Sequence, residues 1–264
     1  MIVGNWKMNL NFGEAMLLAQ RYSSLAQKYK ATNVVLLAPA AYIYSIFDEL
    51  RVKPKNLYLG IQNFMSELEG AYTGENSLAQ VKHVCRYALA GHSERRKHFG
   101  ETDEIVNTKV LLALKEGFDV IVCIGEKNRY HLEDYYQSEI KKMSESGAIL
   151  DQLKKALSGV SKSDLGRVHI AYEPVWAIGT GNAASGSYAA AVCYIIKQYL
   201  TELYGQASDL VDVLYGGSTD SKNTKEFLMQ PSVNGLLVGS SSLKAGEFSK
   251  MCEICAEVKS GRIV

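Results

Sequence analysis

Nothing in this chain approaches the roughly 18 consecutive apolar residues that a membrane span requires. Its first residues, Ile2-Val3-Gly4-Asn5-Trp6, read directly as a strand, not as a basic region followed by a hydrophobic signal core. Together these features make a cytoplasmic protein the expectation. An excess of either charge is also missing, since 29 Lys plus Arg face 28 Asp plus Glu and both signs are scattered throughout. Without a basic stripe there is no footprint for nucleic acid or acidic lipid headgroups, and a small molecule becomes the expected partner. Cysteines number five, an odd count. Cys85, Cys123 and Cys193 sit in apolar stretches where free cysteine behaves as a small hydrophobe, which argues against a disulfide framework. Cys252 and Cys255 form a C-x-x-C pair, but they lie in a helical segment with no second pair or histidine to complete a metal site. No metal is expected.

At 264 residues and 47% hydrophobic, the chain can bury a full core. Short apolar runs predict strands near Ile2 to Met8, Val34 to Pro39, Leu57 to Asn63, Tyr87 to His92, Val120 to Gly125, Val168 to Glu173, Asp212 to Gly216 and Gly235 to Gly239. Between them, helix-period segments run over Glu14 to Lys28, Ala40 to Leu50, Leu78 to His83, Asp103 to Glu116, His131 to Leu157, Tyr188 to Leu203, Ser221 to Met229 and Leu243 to Lys259. Strand and helix alternate eight times, which predicts an α/β fold with parallel strands closed into a (β/α)8 TIM barrel, one domain spanning 1–264. An open doubly wound sheet would carry a glycine-rich nucleotide loop after an early strand, and neither G-x-G-x-x-G nor G-x-x-x-x-G-K-[ST] occurs. The longest interval between strands, Gly125 to Gly166, has room for an insertion on one barrel face.

A barrel places its chemistry at the C-terminal ends of the strands, where the βα loops emerge. Polar residues stand there. Glu173 ends the sixth strand and is followed at once by Pro174 and by a loop closing on Gly179-Thr180-Gly181, the arrangement of a fixed carboxylate beneath a bending lid. Asn5 and Lys7 are two apart, so on a strand both would face the same side. His92 precedes Ser93-Glu94-Arg95-Arg96, a helix start with Ser93 as its cap, and beside that positive helix end it is suited to act as a neutral hydrogen-bond donor. Gly216-Gly217-Ser218 and Gly239-Ser240-Ser241-Ser242 offer backbone N–H groups after strands seven and eight, where barrels of this kind bind phosphate. A small phosphoester is implied.

These segments resemble the triosephosphate isomerase family over essentially the whole chain. The family's motifs stand as Gly4-Asn5-Trp6-Lys7-Met8-Asn9, Gln62-Asn63, Gly70-Ala71-Tyr72-Thr73-Gly74-Glu75, Gly91-His92-Ser93-Glu94-Arg95-Arg96, Cys123-Ile124-Gly125-Glu126, Tyr172-Glu173-Pro174-Val175-Trp176-Ala177-Ile178-Gly179-Thr180-Gly181 and Tyr215-Gly216-Gly217-Ser218. The resemblance implies interconversion of dihydroxyacetone phosphate and D-glyceraldehyde 3-phosphate through an enediolate, in glycolysis and gluconeogenesis, with no cofactor. It implies Glu173 as the base, His92 as the neutral electrophile, Lys7 as the cation and Asn5 as a hydrogen-bond donor to the reacting oxygens. It further implies phosphate contacts from Gly179, Ser218, Gly239 and Ser240, and charge-paired support from Glu94, Arg95 and Glu126. Thr73 lies in the loop that in this family enters the neighbouring subunit's site, which implies a homodimer.

The chain departs from the family pattern at three positions. Ser240 replaces the second of two glycines after strand eight, so that a side chain either crowds the anion or adds a hydrogen bond to it. Asn234 stands where Asp is common, and Asp212 where Arg is common. Two other readings are weighed against an isomerase. A phosphate-ester-binding barrel that has lost the reaction has no use for a strand-end base, and a different barrel isomerase or lyase would show a Schiff-base lysine on strand six or a metal cluster.

Overall fold

Eight runs rich in Val, Ile and Leu form β1 (Ile2–Asn5), β2 (Val34–Ala38), β3 (Leu57–Ile61), β4 (Tyr87–Ala90), β5 (Asp119–Ile124), β6 (Val168–Tyr172), β7 (Asp212–Tyr215) and β8 (Gly235–Val238). In this computed structural model, which describes residues 1–129, 148–178 and 183–261, each strand pairs parallel with the next. Pairing of β1 with β8 closes the barrel. The expected (β/α)8 architecture is therefore present. Parallel neighbours require crossover connections, and these are supplied by the helices: α1 (Phe12–Lys28), α2 (Ile43–Glu49), α3 (Leu78–Val81), α4 (Ser93–Phe99), α5 (Asp103–Lys115), α6 (Ala148–Ala156), α7 (Gly186–Tyr204), α8 (Thr224–Leu228) and α9 (Ala245–Lys259). Residues 131–147 of the expected helix from His131 to Leu157, and with them part of the Gly125 to Gly166 interval expected to hold an insertion, lie outside the described residues.

Side chains alternate across each strand, so every strand serves two cores. Val3, Val35, Leu37, Leu89, Ile121, Ala171, Leu214 and Leu237 fill the barrel interior. Their neighbours Ile2, Val34, Leu36, Ala88, Val120, Ile170, Val213 and Leu236 pack outward against the helices. Burying one such Val, Leu or Ile stabilises the fold by about 1.5–3 kcal/mol relative to exposure. Because both faces of the strands are buried, they read as continuous apolar runs instead of alternating ones.

The same alternation positions the site. One step of two residues beyond the interior Val3, Ala171, Leu214 and Leu237 come Asn5, Glu173, Gly216 and Gly239, which reach the C-terminal mouth. At the opposite mouth, the step back from Ala171 and Leu214 leads to His169 and Asp212. Helix starts are set locally: Asn11 accepts from the Glu14 N–H at 3.0 Å while Glu14 accepts from the Asn11 N–H at 2.9 Å, a reciprocal cap for α1. Ser77 and Gln80 do the same for α3.

Several boundaries differ from the sequence expectation for one reason. Strand pairing stops as the chain reaches the mouth, so β1 ends at Asn5, β4 at Ala90 and β6 at Tyr172. Lys7 therefore lies beyond β1, with φ of 54°, and not on it. All five cysteines are buried and unpaired. No helix among the described residues is long and apolar enough to cross a membrane.

Candidate active site

A cleft of about 640 Å³ opens at the C-terminal mouth and gathers residues from the ends of five strands. Asn5, Lys7, His92, Glu94, Glu173, Ser218, Gly239 and Ser240 all line it. Among the described residues no group of three or more His, Cys, Asp and Glu is placed to hold a metal.

Glu173 stands one residue past β6 and is 2% exposed. Its N–H donates to the Ile124 carbonyl at 2.8 Å, which continues the β5–β6 ladder by one residue and fixes the start of the side chain. The backbone passes so near β5 that a Cβ on Gly125 would lie 1.7 Å from the Glu173 carbonyl oxygen. Glycine is required there by close approach. Both carboxylate oxygens have partners: Oε2 accepts the Ser93 N–H at 2.9 Å, and Oε1 lies 3.0 Å from His92 Nε2.

His92 is 6% exposed and is itself the N-cap of α4, a place the sequence assigned to Ser93. Its Nδ1 accepts the Glu94 N–H at 3.2 Å. An imidazole nitrogen that accepts from a backbone N–H carries no proton, so in the neutral ring the hydrogen sits on Nε2 and points to Glu173. The cap thus selects the tautomer. The preceding Gly91 is gripped on both sides, its N–H donating to Glu101 at 3.1 Å and its carbonyl accepting from Arg96 Nε at 2.8 Å. Glu101 also pairs with the buried Lys109, and Arg96 with Asp103 at 2.6 Å, so the turn carrying His92 is braced by two ion pairs.

Lys7 reaches the cleft by a route other than strand alternation. Its left-handed backbone is held by its own N–H donating to Asn5 Oδ1 at 3.0 Å and by Gln62 donating to its carbonyl at 3.1 Å. Its ammonium meets Glu94 Oε1 at 2.6 Å. Partial burial disfavours the charged form of Glu94, but the Lys7 hydrogen bond and the charge of Lys7 outweigh it. The carboxyl is held below its usual range.

The other expected supports differ from a uniform set of charge pairs. Glu126 has no cationic partner among the described residues; its Oε1 accepts from Tyr172 at 2.8 Å, Trp176 at 2.7 Å and Tyr188 at 3.0 Å. Burial raises its pKa against these three donors. Trp176 belongs to the turn following Pro174, so Glu126 anchors the start of the expected lid. Arg95 Nε finds no hydrogen-bond partner among the described residues, pairs with Glu101 at 3.8 Å, and its guanidinium covers the Phe99 ring at 4.2 Å. Arg96 braces the same turn through Gly91 and Asp103.

Ser218 lines the cleft, and its hydroxyl donates to the Ala177 carbonyl at 2.9 Å, tying the β7 loop to the same lid start. Gly239 lies beside the cation, since a Cβ there would be 3.4 Å from Lys7 Cε. Ser240 is exposed on the cleft wall. Thr73 is exposed in the loop after β3 and is absent from the lining of this chain's own cleft. Gly179 and the Thr180-Gly181 pair lie outside the described residues. Sequence reasoning missed Ser93 as a donor to Glu173 and Gln62 as a brace for Lys7. The helix-start pattern was the available signal for the first; the second depends on two loops meeting.

Comparison with known proteins agrees with this geometry. The sequence profile of the family described as Triosephosphate isomerase matches residues 1–255. A triosephosphate isomerase of Dehalococcoides mccartyi is 40% identical over 265 residues, covering 98% of this chain and 98% of that protein. Proteins of the same name from a Thermoanaerobacter species and from Saccharopolyspora erythraea are each 40% identical, covering 95% and 97% of this chain and 97% and 96% of theirs. Matched along nearly its whole length, and with Asn5, Lys7, His92 and Glu173 lining one cleft, the chain belongs to the triosephosphate isomerase family.

Proposed function

We propose that this protein interconverts dihydroxyacetone phosphate and D-glyceraldehyde 3-phosphate, with Glu173 moving the proton between the two carbons. The observation that carries the reading is the approach of a buried carboxylate to a histidine whose hydrogen-bearing nitrogen faces it, with an ammonium and an amide lining the same cleft. The Glu173–His92 hydrogen bond must open for reaction. Opening frees the carboxylate to take a proton alpha to the carbonyl, and frees His92 Nε2–H to donate to the substrate oxygen as negative charge grows there. Lys7 supplies the cation for the enediolate and the phosphate, and Asn5 a further donor. Such a proton shift calls for no cofactor.

The loops after β7 and β8 receive the phosphate through Ser218, Gly239 and Ser240, and the lid segment contributes Gly179. Lid closure excludes water, which strengthens each electrostatic contact and protects the enediolate. The chain acts as one barrel domain over 1–264 and works in the cytoplasm. It forms a homodimer in which the Thr73 loop enters the partner's site. Exposed apolar side chains on loops and helices following β1, β3 and β4, namely Met8, Phe12, Tyr72 and Phe99, support such an interface.

The test is turnover of both triose phosphates by the wild-type protein and by Glu173→Gln, with circular dichroism to confirm folding. Loss of rate by orders of magnitude in the variant is the expected result. Absence of turnover in the wild type, with phosphate esters still bound, would establish the binding-protein alternative. Sedimentation across a dilution series, with activity followed in parallel, tests the homodimer.

A further inference from the structure

Tyr22 stands on α1, outside the barrel, and is absent from the lining of the cleft. It is fully buried, and its ring is held from two sides. Phe248 of α9 stacks on it with 4.4 Å between centroids and 14° between planes, and Trp6 meets it edge-on at 5.7 Å. The hydroxyl passes over β1 at Gly4, where a Cβ would lie 2.2 Å from the Tyr22 oxygen. Glycine leaves that path open. At its end the hydroxyl donates to the Ser242 carbonyl at 3.0 Å.

Ser242 lies in the 3-10 turn Ser240–Leu243 that follows β8 and is itself fully buried. All three of its polar groups are committed. Its N–H donates to the Gly239 carbonyl at 2.9 Å, its hydroxyl to the Asn5 carbonyl at 3.4 Å, and its carbonyl receives Tyr22. The buried end of the turn is thereby tied to α1 and to the end of β1, while Gly239 and Ser240 at its other end line the cleft. There a Cβ on Gly239 would stand 3.6 Å from Lys7 Nζ. The spacing between this turn and the ammonium therefore depends on a residue that neither of them touches through the cleft.

We infer that Tyr22 is a positioning residue for the reaction: its buried hydroxyl holds the turn after β8 at the distance from Lys7 at which one anion meets both. The identity of that anion rests on the isomerase reading. A buried carbonyl that loses its donor is costly, so without the Tyr22 hydroxyl the Ser242 carbonyl turns toward another partner and the turn shifts with it. Small displacements of a binding group are felt strongly where several contacts must be made at once. The reacting groups keep their own braces, Lys7 from Asn5 Oδ1 and Gln62, and His92 from the Glu94 N–H. The loss therefore falls on anion binding and leaves the chemical step.

The experiment compares the wild-type protein with Tyr22→Phe, which keeps both ring contacts and removes one oxygen. Steady-state kinetics with both triose phosphates and titration with glycerol 3-phosphate are run well below the melting temperature of each protein. KM and the Kd of glycerol 3-phosphate are expected to rise together by roughly 3-fold to 10-fold, with kcat within about twofold of wild type. A lower melting temperature with KM and Kd unchanged overturns the inference, since Tyr22 would then only stabilise the fold. A fall in kcat at unchanged KM overturns it too, by placing the effect on the reacting groups. If the wild type shows no turnover but its Kd still shifts on Tyr22→Phe, the isomerase reading falls and the role of Tyr22 stands.

Discussion

His92 Nε2 lies 3.0 Å from Glu173 Oε1, which joins the proposed proton donor for the carbonyl oxygen to the proposed base for the carbon. The contact depends on the cap that the same imidazole makes with the Glu94 N–H on its other nitrogen. His92→Gln is expected to lower kcat by about a hundredfold to ten-thousandfold. The measurement is steady-state kinetics with both triose phosphates, and a kcat within threefold of wild type would remove His92 from the reaction.

Lys7 combines two requirements, an ammonium at the cleft and a backbone at φ of 54°. Replacing it with alanine or glycine separates them. Either variant is expected to lose at least a hundredfold in kcat/KM, because a preorganised charge is gone. Lys7→Gly should be the more stable of the two by about 1 kcal/mol, since glycine adopts left-handed backbone without strain. Urea unfolding of both proteins decides this, and a more stable alanine variant would contradict it.

Glu126 accepts three hydrogen bonds on one buried oxygen. Glu126→Leu leaves those donors without this acceptor and is expected to cost about 3 kcal/mol or more. Glu126→Gln keeps an oxygen and removes a buried charge, so its cost should be about 1 kcal/mol or less. Equal destabilisation of both variants in thermal melts would show that the charge, and not the acceptor, holds the lid's first turn.

His169 is buried at the N-terminal mouth, and neither ring nitrogen is hydrogen-bonded among the described residues. Burial lowers its pKa from the ordinary 6.5, opposed by Asp212, whose carboxylate is 3.7 Å away, and by Asp119; the chain's amino group and Arg86 add to the lowering. With the folded pKa depressed, the unfolded chain binds the extra proton first as pH falls below about 6.5. Stability from the neutral ring is complete above that pH and is lost on acidification. Melting temperature should therefore fall between pH 7.5 and 5.5 by more in the wild type than in His169→Leu. Parallel curves for the two proteins would exclude this histidine as the source.

The sequence carried the barrel because each strand is buried on both faces, which leaves apolar runs such as Val34 to Ala38 readable without any partner. It also carried the positions of Asn5, His92 and Glu173, since strand ends are where a parallel barrel can expose polar groups. What it misjudged shares one cause. Lys7 was assigned to a strand and Ser93 to a cap, because local spacing describes a chain as though its neighbours were absent. Gln62 from the loop after β3 holds the Lys7 backbone, and the turn of His92 is clamped by Glu101 and Arg96. Only the closed barrel brings β4 beside β5 and β5 beside β6, and with them His92 to Glu173 and Glu126 to Trp176. The residue types at the strand ends were thus determined locally, by pattern and chemistry. Their distances, tautomers and shared hydrogen bonds were decided by tertiary structure, because those depend on backbone groups and side chains far apart in sequence meeting at one mouth.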